Sequence, residues 1–92
     1  MPIKTKEIVF SQHALDQLKD RGTTQEEIIQ TIWEGEMQIA KKERISFKKN
    51  FPFEKTWKNR HYSLKQVMPI VVEEKGCYVV ITVYVFYFGG QQ

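Results

Sequence analysis

The stretch SQHALDQLKDRGTTQEEIIQTIWEG, residues 11–35, predicts two short helices in direct succession. Ser11 is a favourable N-cap for the first helix, and Gly22 is placed to end it in a left-handed conformation. The second helix opens on a T-x-x-E capping box, a pattern that fits both Thr23–Glu26 and Thr24–Glu27. Two helices joined by so short a connection form a helical hairpin.

Each helix carries apolar residues on one face, so the hairpin needs a second layer of structure to bury them. In the first helix this stripe is formed by Ala14, Leu15 and Leu18. In the second helix it is formed by Ile28, Ile29, Ile32 and Trp33.

After residue 35 the hydrophobic period shortens, which indicates strands. MQIA and RISF predict two short strands. The stretch KKNFPFEKTWKNR, residues 48–60, predicts a loop because Pro52 and Asn59 interrupt it. RHYSLKQVMPIVVEE, residues 60–74, predicts a long strand in which Pro69 marks a bulge or an edge position.

The last predicted strand is CYVVITVYVFYF, residues 77–88, which follows a hairpin turn at EKG. Strict alternation places Val79, Ile81, Val83 and Val85 on one face and Tyr78, Val80, Thr82, Tyr84 and Phe86 on the other. Apolar residues on both faces indicate a central strand. The order of elements predicts an α+β domain, in which the N-terminal helical hairpin packs on a sheet of three or four antiparallel strands.

The 92 residues predict a single domain, with a core at about residues 8–88 and a flexible GGQQ tail at 89–92. Cys77 is the only cysteine, so a disulfide within the chain is excluded. No signal-peptide pattern and no apolar run of about 20 residues is present, so we expect a cytoplasmic protein that does not enter the membrane. Motifs for metal ions or cofactors are absent from the sequence, so neither is expected.

Charge is distributed unevenly along the chain. The net charge is +3, yet residues 41–60 hold eight Lys and Arg against two acidic residues, whereas residues 1–40 hold four against seven. A concentrated basic segment is typical of a surface that binds a polyanion such as RNA. The alternative interpretation is a solvated loop that keeps the protein soluble.

His13 is the polar residue of the first helix that most invites a chemical interpretation. With Ser11 as N-cap, it lies in the first turn, close to free backbone N–H groups and to the positive end of the helix dipole. This position favours a neutral imidazole and attracts an anion such as phosphate. A neutral imidazole beside a phosphodiester can act as a general base. The alternative is an ordinary surface histidine.

Four further residues are considered for the same chemistry. Arg60 offers a planar guanidinium that binds phosphate through two hydrogen bonds, although it could equally pair with the acidic residues at 73–74. Thr82 and Tyr84 share one face of the last strand, and their hydroxyls either line a cleft or find partners within the sheet. Arg21 ends the first helix, where the helix dipole alone explains a cation.

Lysines alternate with aromatic residues in the basic segment. Stacking combined with charge is a common way to hold single-stranded nucleic acid, which makes this segment a candidate RNA-binding surface. Together with Arg21 of the first helix, the residues that we expect to contact RNA are Lys48, Lys49, Trp57 and Lys58. The alternative is that Phe51, Phe53 and Trp57 anchor the segment to the core.

The run SQHALDQLKDRGTTQEEI resembles the S-x-H-A-x-x-R-M-x-x-R-G-I-[ST]-x-x-x-I opening of domain-of-unknown-function family 4258, and RHYSL and VVITVY resemble later strands of that family. The resemblance covers about residues 8–86. It implies a relation to the barnase–EndoU–colicin–RelE group of metal-independent ribonucleases, many of which are toxins. The residues that it implies for the site are His13, Arg21, Arg60, Thr82 and Tyr84.

One position departs from the family pattern. Gln17 replaces the arginine that usually follows the histidine by four residues, which removes a cation from the expected phosphate site. The leading hypothesis is a toxin-type domain that cleaves RNA without a metal ion, using His13, Arg60, Thr82 and Tyr84. The alternative is a non-catalytic module that binds nucleic acid or a protein partner, such as an antitoxin or a further copy in a small oligomer.

Overall fold

A computed structural model describes residues 6–89 of the chain. Two helices and five strands follow one another in the order β1 (Glu7–Phe10), α1 (Gln12–Arg21), α2 (Gln25–Glu34), β2 (Glu36–Ile39), β3 (Arg44–Trp57), β4 (Arg60–Glu74) and β5 (Cys77–Phe88). The predicted α+β class is confirmed. The predicted tail at 89–92 lies outside the described residues except for Gly89, whose carbonyl accepts a hydrogen bond from Ser63 Oγ at 2.8 Å.

The sheet differs from the prediction in size and direction. It has five strands in the order β1-β5-β4-β3-β2, and β1 runs parallel to β5 while the other neighbours are antiparallel. The expectation of three or four antiparallel strands was wrong because β1, a short segment before the helices, was not expected to be a strand. Since α1 follows β1 directly, β1 brings the start of α1 to the edge of β5.

The helical hairpin has the predicted ends. Ser11 Oγ accepts a hydrogen bond from the Ala14 N–H, and Gly22 ends α1 with φ +81°. Of the two capping frames, the structure selects Thr24, whose side chain accepts from the Glu27 N–H. Gly22 is also required by packing, because a Cβ at this position would collide with the Tyr87 hydroxyl and the Trp57 ring.

The predicted loop at residues 48–60 was wrong, because β3 continues through it as far as Trp57. Pairing with β4 supplies the hydrogen bonds that the isolated sequence could not indicate, and the register shifts between Pro52 and Lys55. A two-residue turn at Lys58 and Asn59, both with positive φ, then reverses the chain.

Pro69 lies in the middle of the sheet, because β4 is flanked by β3 and β5. The predicted edge position was therefore wrong. The register between β4 and β5 shifts immediately after this residue, between Ile70 and Val71, so the prediction of a bulge here was close.

This β-bulge also overturns the predicted faces of β5. The register shift leaves Ile81 as the extra residue in β5, so the alternation of side chains changes phase there. Val80 and Val83 are both fully buried, although strict alternation placed them on opposite faces. The core lies between the helices and one face of the sheet and consists of Ala14, Ile28, Ile32, Phe47, Val67, Val71, Val80 and Val83.

A buried lysine ties the helical hairpin to the sheet. Lys65 is only 6% exposed, and its Nζ donates to the Gly22 carbonyl at 2.9 Å and to Glu27 Oε1 at 2.8 Å. Thr23 Oγ1 donates to the same carboxylate oxygen at 2.8 Å. The turn between the helices is therefore held to β4 by a compact polar cluster.

An aromatic cluster surrounds Tyr87 beside this turn. Its ring stacks on Trp57 at 5.3 Å and contacts Phe53 and Tyr62 at 5.2 Å and 5.3 Å between centroids. Its hydroxyl donates to the Arg21 carbonyl at 2.7 Å. The long hairpin of β3 and β4 is thereby anchored to the end of α1.

Burial, with a smaller contribution from the nearby Glu27 carboxylate, raises the pKa of Tyr87 from 10.0 to about 12. The unfolded chain therefore loses the Tyr87 proton at a lower pH than the folded chain, so the free energy of unfolding should fall as the pH rises from 10 to 12. We expect one of the four tyrosines to form phenolate later than the others in an alkaline absorbance titration. Tyr87→Phe should remove this late step and flatten the alkaline loss of stability; a late step that persists in the variant would contradict the assignment.

Candidate nucleic-acid interface on the open face of the sheet

The sheet surface that faces away from the helices is here called the open face. The residues on it alternate with the buried core residues of the same strands and pair with one another across the sheet. Its central part consists of Lys48 and Asn50 from β3, Leu64, Gln66 and Met68 from β4, and Thr82, Tyr84, Phe86 and Phe88 from β5.

The open face is unusually apolar and aromatic for a surface. Leu64, Tyr84, Phe86 and Phe88 are each between 40% and 47% exposed. A contiguous exposed apolar surface of this kind is typical of a binding site.

Tyr84 and Phe86 form the most regular feature of this surface. Their ring centroids lie 6.4 Å apart, and the ring planes are inclined by only 17°. This separation is the one that two residues on the same face of one strand ordinarily have, at roughly 3.4 Å per residue. Both rings are more than 40% exposed and are therefore available to a ligand.

α1 borders the same surface, because it covers the edge of β5 beyond the end of β1. Gln17 Oε1 accepts hydrogen bonds from Thr82 Oγ1 at 2.9 Å and from the Val83 N–H at 2.8 Å. Arg21 Nε donates to the Val83 carbonyl at 3.3 Å. The side chains of Gln17 and Arg21 thus form hydrogen bonds with the N–H and C=O groups of Val83, as a neighbouring strand would.

These contacts assign structural roles to Thr82 and Arg21. The Thr82 hydroxyl is already bonded to Gln17, and the Arg21 guanidinium is bonded to the backbone of β5. Gln17 therefore supplies an acceptor that occupies the edge of β5 at Val83.

His13 is exposed near the start of α1. It precedes Gln17 by one helical turn, so both project from the same side of α1, the side next to Thr82. His13 therefore lies one helical turn from the contact between Gln17 and Thr82.

Arg60 lies far from Thr82 and Tyr84. The expectation that it forms one site with these residues is therefore wrong. It begins β4 opposite Trp57, whereas Thr82 pairs with Ile70. Ten residues of strand separate Arg60 from Ile70, which corresponds to about 33 Å of extended chain. Arg60 lies instead at the hairpin end of β3 and β4.

The two neighbouring lysines of β3 lie on opposite faces. Lys49 pairs with Val67 of the buried layer and its Nζ lies 3.7 Å from Glu34 Oε1. Lys48 points to the open face, where the register on either side aligns it with Met68 and hence with Tyr84. Only Lys48 of this pair is placed to meet a ligand on the open face.

The remaining candidates for RNA contact lie in the hairpin end of β3 and β4. Trp57 stacks on Tyr87, so it anchors the hairpin and is not available for a base. Lys58 sits in the turn with its Nζ 5.4 Å from the Trp57 ring centroid. Neither residue is part of the open face.

A groove of about 390 Å³ lies on the other side of the molecule and contains none of the predicted site residues. It is lined by Ile39, Glu43, Ile45 and Glu73. Among residues 6–89 no cluster of three or more His, Cys, Asp or Glu side chains could hold a metal ion. In the same residues neither ten-residue helix is long and apolar enough to cross a membrane.

Sequence reasoning missed two contributors to this site. Phe86 was predicted to lie on the same face as Tyr84 but was not predicted to be part of the site. The alternation of aromatic residues in YVF, residues 84–86, could have indicated an aromatic pair on that face. Gln17 was interpreted only as a lost cation, because nothing local indicates that its amide reaches β5.

No family model matches the chain, and no curated protein or solved structure matches it either. The geometry of the open face is therefore the basis for the function proposed below.

Proposed function

We propose that the open face binds single-stranded RNA. The observation that carries this proposal is the pair of nearly parallel, exposed rings of Tyr84 and Phe86. Sheets that bind single-stranded RNA commonly stack unpaired bases on aromatic side chains of an exposed face. The amides of Gln66 and Asn50, which bond to each other at 3.0 Å in the adjacent row, offer donors and acceptors for a base edge.

Cations next to the rings support a polyanionic ligand. Lys48 shares a cross-strand row with Tyr84, and Arg44 lies on the same face of β3, since its partner Val72 alternates with the buried Val71. Neither Lys48 nor Arg44 has an ion-pair partner among residues 6–89. Both can therefore contact phosphates without first giving up an internal contact.

Substitutions of the neighbouring residues Lys48 and Lys49 test whether RNA binds at the open face. Lys48→Gln should weaken binding of a fluorescently labelled single-stranded RNA and reduce the slope of log affinity against log salt by about one. Lys49→Gln should leave both quantities nearly unchanged, because this lysine lies on the helix side beside Glu34. Fluorescence anisotropy at several salt concentrations measures the effect, and equal losses from the two variants would contradict binding at the open face.

RNA cleavage is a second candidate function, favoured by the position of His13 one helical turn from the contact between Gln17 and Thr82. An imidazole there could transfer the proton of a ribose 2′-hydroxyl from an RNA held on Tyr84. Arg60 is distant and Arg21 is bonded to Val83, which leaves Arg44, two strands away on the open face, as the arginine that can reach a phosphate, so we expect slow cleavage.

The two histidines of the chain provide the test of cleavage. Labelled RNA incubated with the protein in EDTA should be cut slowly, and His13→Ala should abolish the cleavage. His61→Ala is the matched control, because His61 lies at the hairpin end, 3.9 Å from Glu54. Cleavage that His61→Ala also abolishes, or that His13→Ala leaves intact, would rule out His13 as the catalytic base.

A protein partner, such as an antitoxin, is the competing occupant of the open face. The exposed Leu64 and Phe88 beside the aromatic pair would suit an apolar protein surface as well as a base. The substitutions of Tyr84 and Phe86 discussed below distinguish the two occupants, because a base requires a planar ring and an apolar protein surface does not.

A further inference from the structure

β2 is an uncovered edge strand with apolar side chains. It is the last strand of the sheet order, and all four of its residues are exposed. Met37 and Ile39 are 54% and 68% exposed, although both lie on the helix side of the sheet opposite Phe47 and Ile45. Edge strands usually avoid such exposed apolar pairs, because they invite pairing with another strand.

The backbone N–H and C=O groups of Met37 and Ile39 point away from the sheet. The Ala40 N–H donates to the Arg44 carbonyl at 2.6 Å, so Ala40 takes the hydrogen-bonded position at the end of the β2–β3 ladder, while the Arg44 N–H donates to the Lys41 carbonyl of the turn at 3.2 Å. Hydrogen-bonded pairs alternate along an antiparallel ladder, so Met37 and Ile39 direct their N–H and C=O groups away from β3. The free edge thus offers two donors and two acceptors.

The opposite edge of the sheet is formed by β1 and, beyond the end of β1, by β5. At Val83 of β5, Gln17 accepts from the N–H group and Arg21 donates to the C=O group. An additional strand cannot pair with Val83 without displacing both side chains. All four residues of β2, by contrast, are exposed.

The charges along β2 identify the partner. Glu36 begins the strand, and Lys41 and Lys42 follow its end, while Glu43 of the same turn lines the groove on the helix side. A second copy of the strand in antiparallel orientation brings the acidic start of each β2 next to the basic end of the other. The strand is thus complementary to itself in charge, as a two-fold interface requires.

We infer that the protein forms a symmetric dimer through antiparallel pairing of two β2 strands. In the register that uses the free groups, Met37 of each copy faces Ile39 of the other, and Gln38 faces its own counterpart. Four backbone hydrogen bonds and a small apolar cluster then join the two sheets into one continuous sheet. The open faces of both copies lie on the same side of it.

The dimer is tested by the molar mass in solution as a function of protein concentration. Sedimentation equilibrium should show the mass rising from 11.0 kDa toward twice that value. Ile39→Pro should keep the protein monomeric at concentrations where the wild type is dimeric, because it removes an outward N–H without removing a bond to β3. Circular dichroism verifies that this variant is folded, and Phe86→Ala should dimerise like the wild type.

A charge exchange tests the orientation of the two strands. Glu36→Lys alone, and the double substitution Lys41→Glu with Lys42→Glu alone, should each weaken the dimer by about tenfold, and an equimolar mixture should restore it as a heterodimer. The inference would be overturned if the wild type stayed monomeric at all concentrations, even if its β2 edge bound other proteins. A dimer that still forms with Ile39→Pro would also overturn it. The same holds if the mixture of the two charge variants fails to form a heterodimer. RNA binding by the monomer is unaffected by either outcome.

Discussion

Replacing Lys65 by methionine is expected to lower the free energy of unfolding by about 1–3 kcal/mol, the usual effect of leaving a polar group in the folded interior without its partner. Methionine is also unbranched, one atom shorter, and leaves the Gly22 carbonyl and the Glu27 carboxylate, whose side chain is 26% exposed, without their cationic donor. A domain of this length has a stability on the order of 5–10 kcal/mol, so a substantial part of it would be lost. Urea unfolding followed by circular dichroism measures the change.

Two variants isolate the cause of this loss. Lys55→Met is the matched control, because Lys55 is exposed, and we expect it to change stability by less than about 0.5 kcal/mol. Adding Glu27→Leu to Lys65→Met should recover part of the lost stability, since no unpaired carboxylate then remains. If Lys65→Met were as stable as Lys55→Met, the polar cluster would not hold the hairpin to the sheet.

Replacing Tyr84 and Phe86 together by leucine is expected to weaken RNA binding by roughly 10- to 100-fold, since stacking contributes about 1–3 kcal/mol per base. Leucine keeps the apolar character of the open face but has no planar ring on which a base can stack. The fold should be retained, because both side chains are more than 40% exposed and outside the core. Anisotropy titrations at constant salt measure the affinity.

The conservative variant Tyr84→Phe separates the ring from the hydroxyl. We expect it to bind RNA within about twofold of the wild type if stacking is the main contribution, because only the hydroxyl is lost. A double leucine variant that binds RNA as well as the wild type would argue against the aromatic pair as a base-binding site and for a protein partner on the open face.

The helical hairpin could be predicted in detail because its signals are local. Ser11 and Gly22 act on backbone groups within one helical turn, so their roles follow from neighbouring residues alone. The strands could be predicted only in part, because a strand is stabilised by partners far along the chain. Residues 48–57 resemble a loop in isolation and become β3 through pairing with β4.

In the candidate site too, some features could be predicted from neighbouring residues and others depend on distant strands. Alternation placed Thr82, Tyr84 and Phe86 on one face, and the structure agrees because all three follow the bulge at Ile81. Arg60 could not be assigned by any local signal, since its distance from Thr82 depends on the length and register of β4. The separation of Lys48 from Lys49 likewise depends on which face of β3 the helices cover.

The sequence by itself determined the two helices, the caps of the first helix, the turn before β5 and the presence of a basic, aromatic segment. These features depend on interactions between residues close together in the chain, and such interactions are readable from residue type and spacing. The tertiary structure alone decided the parallel β1, the extent of β3, the bulge in β5 and the composition of the open face. Hydrogen bonds between distant strands determine these features, and a shift of one residue in register reverses which side chains are buried.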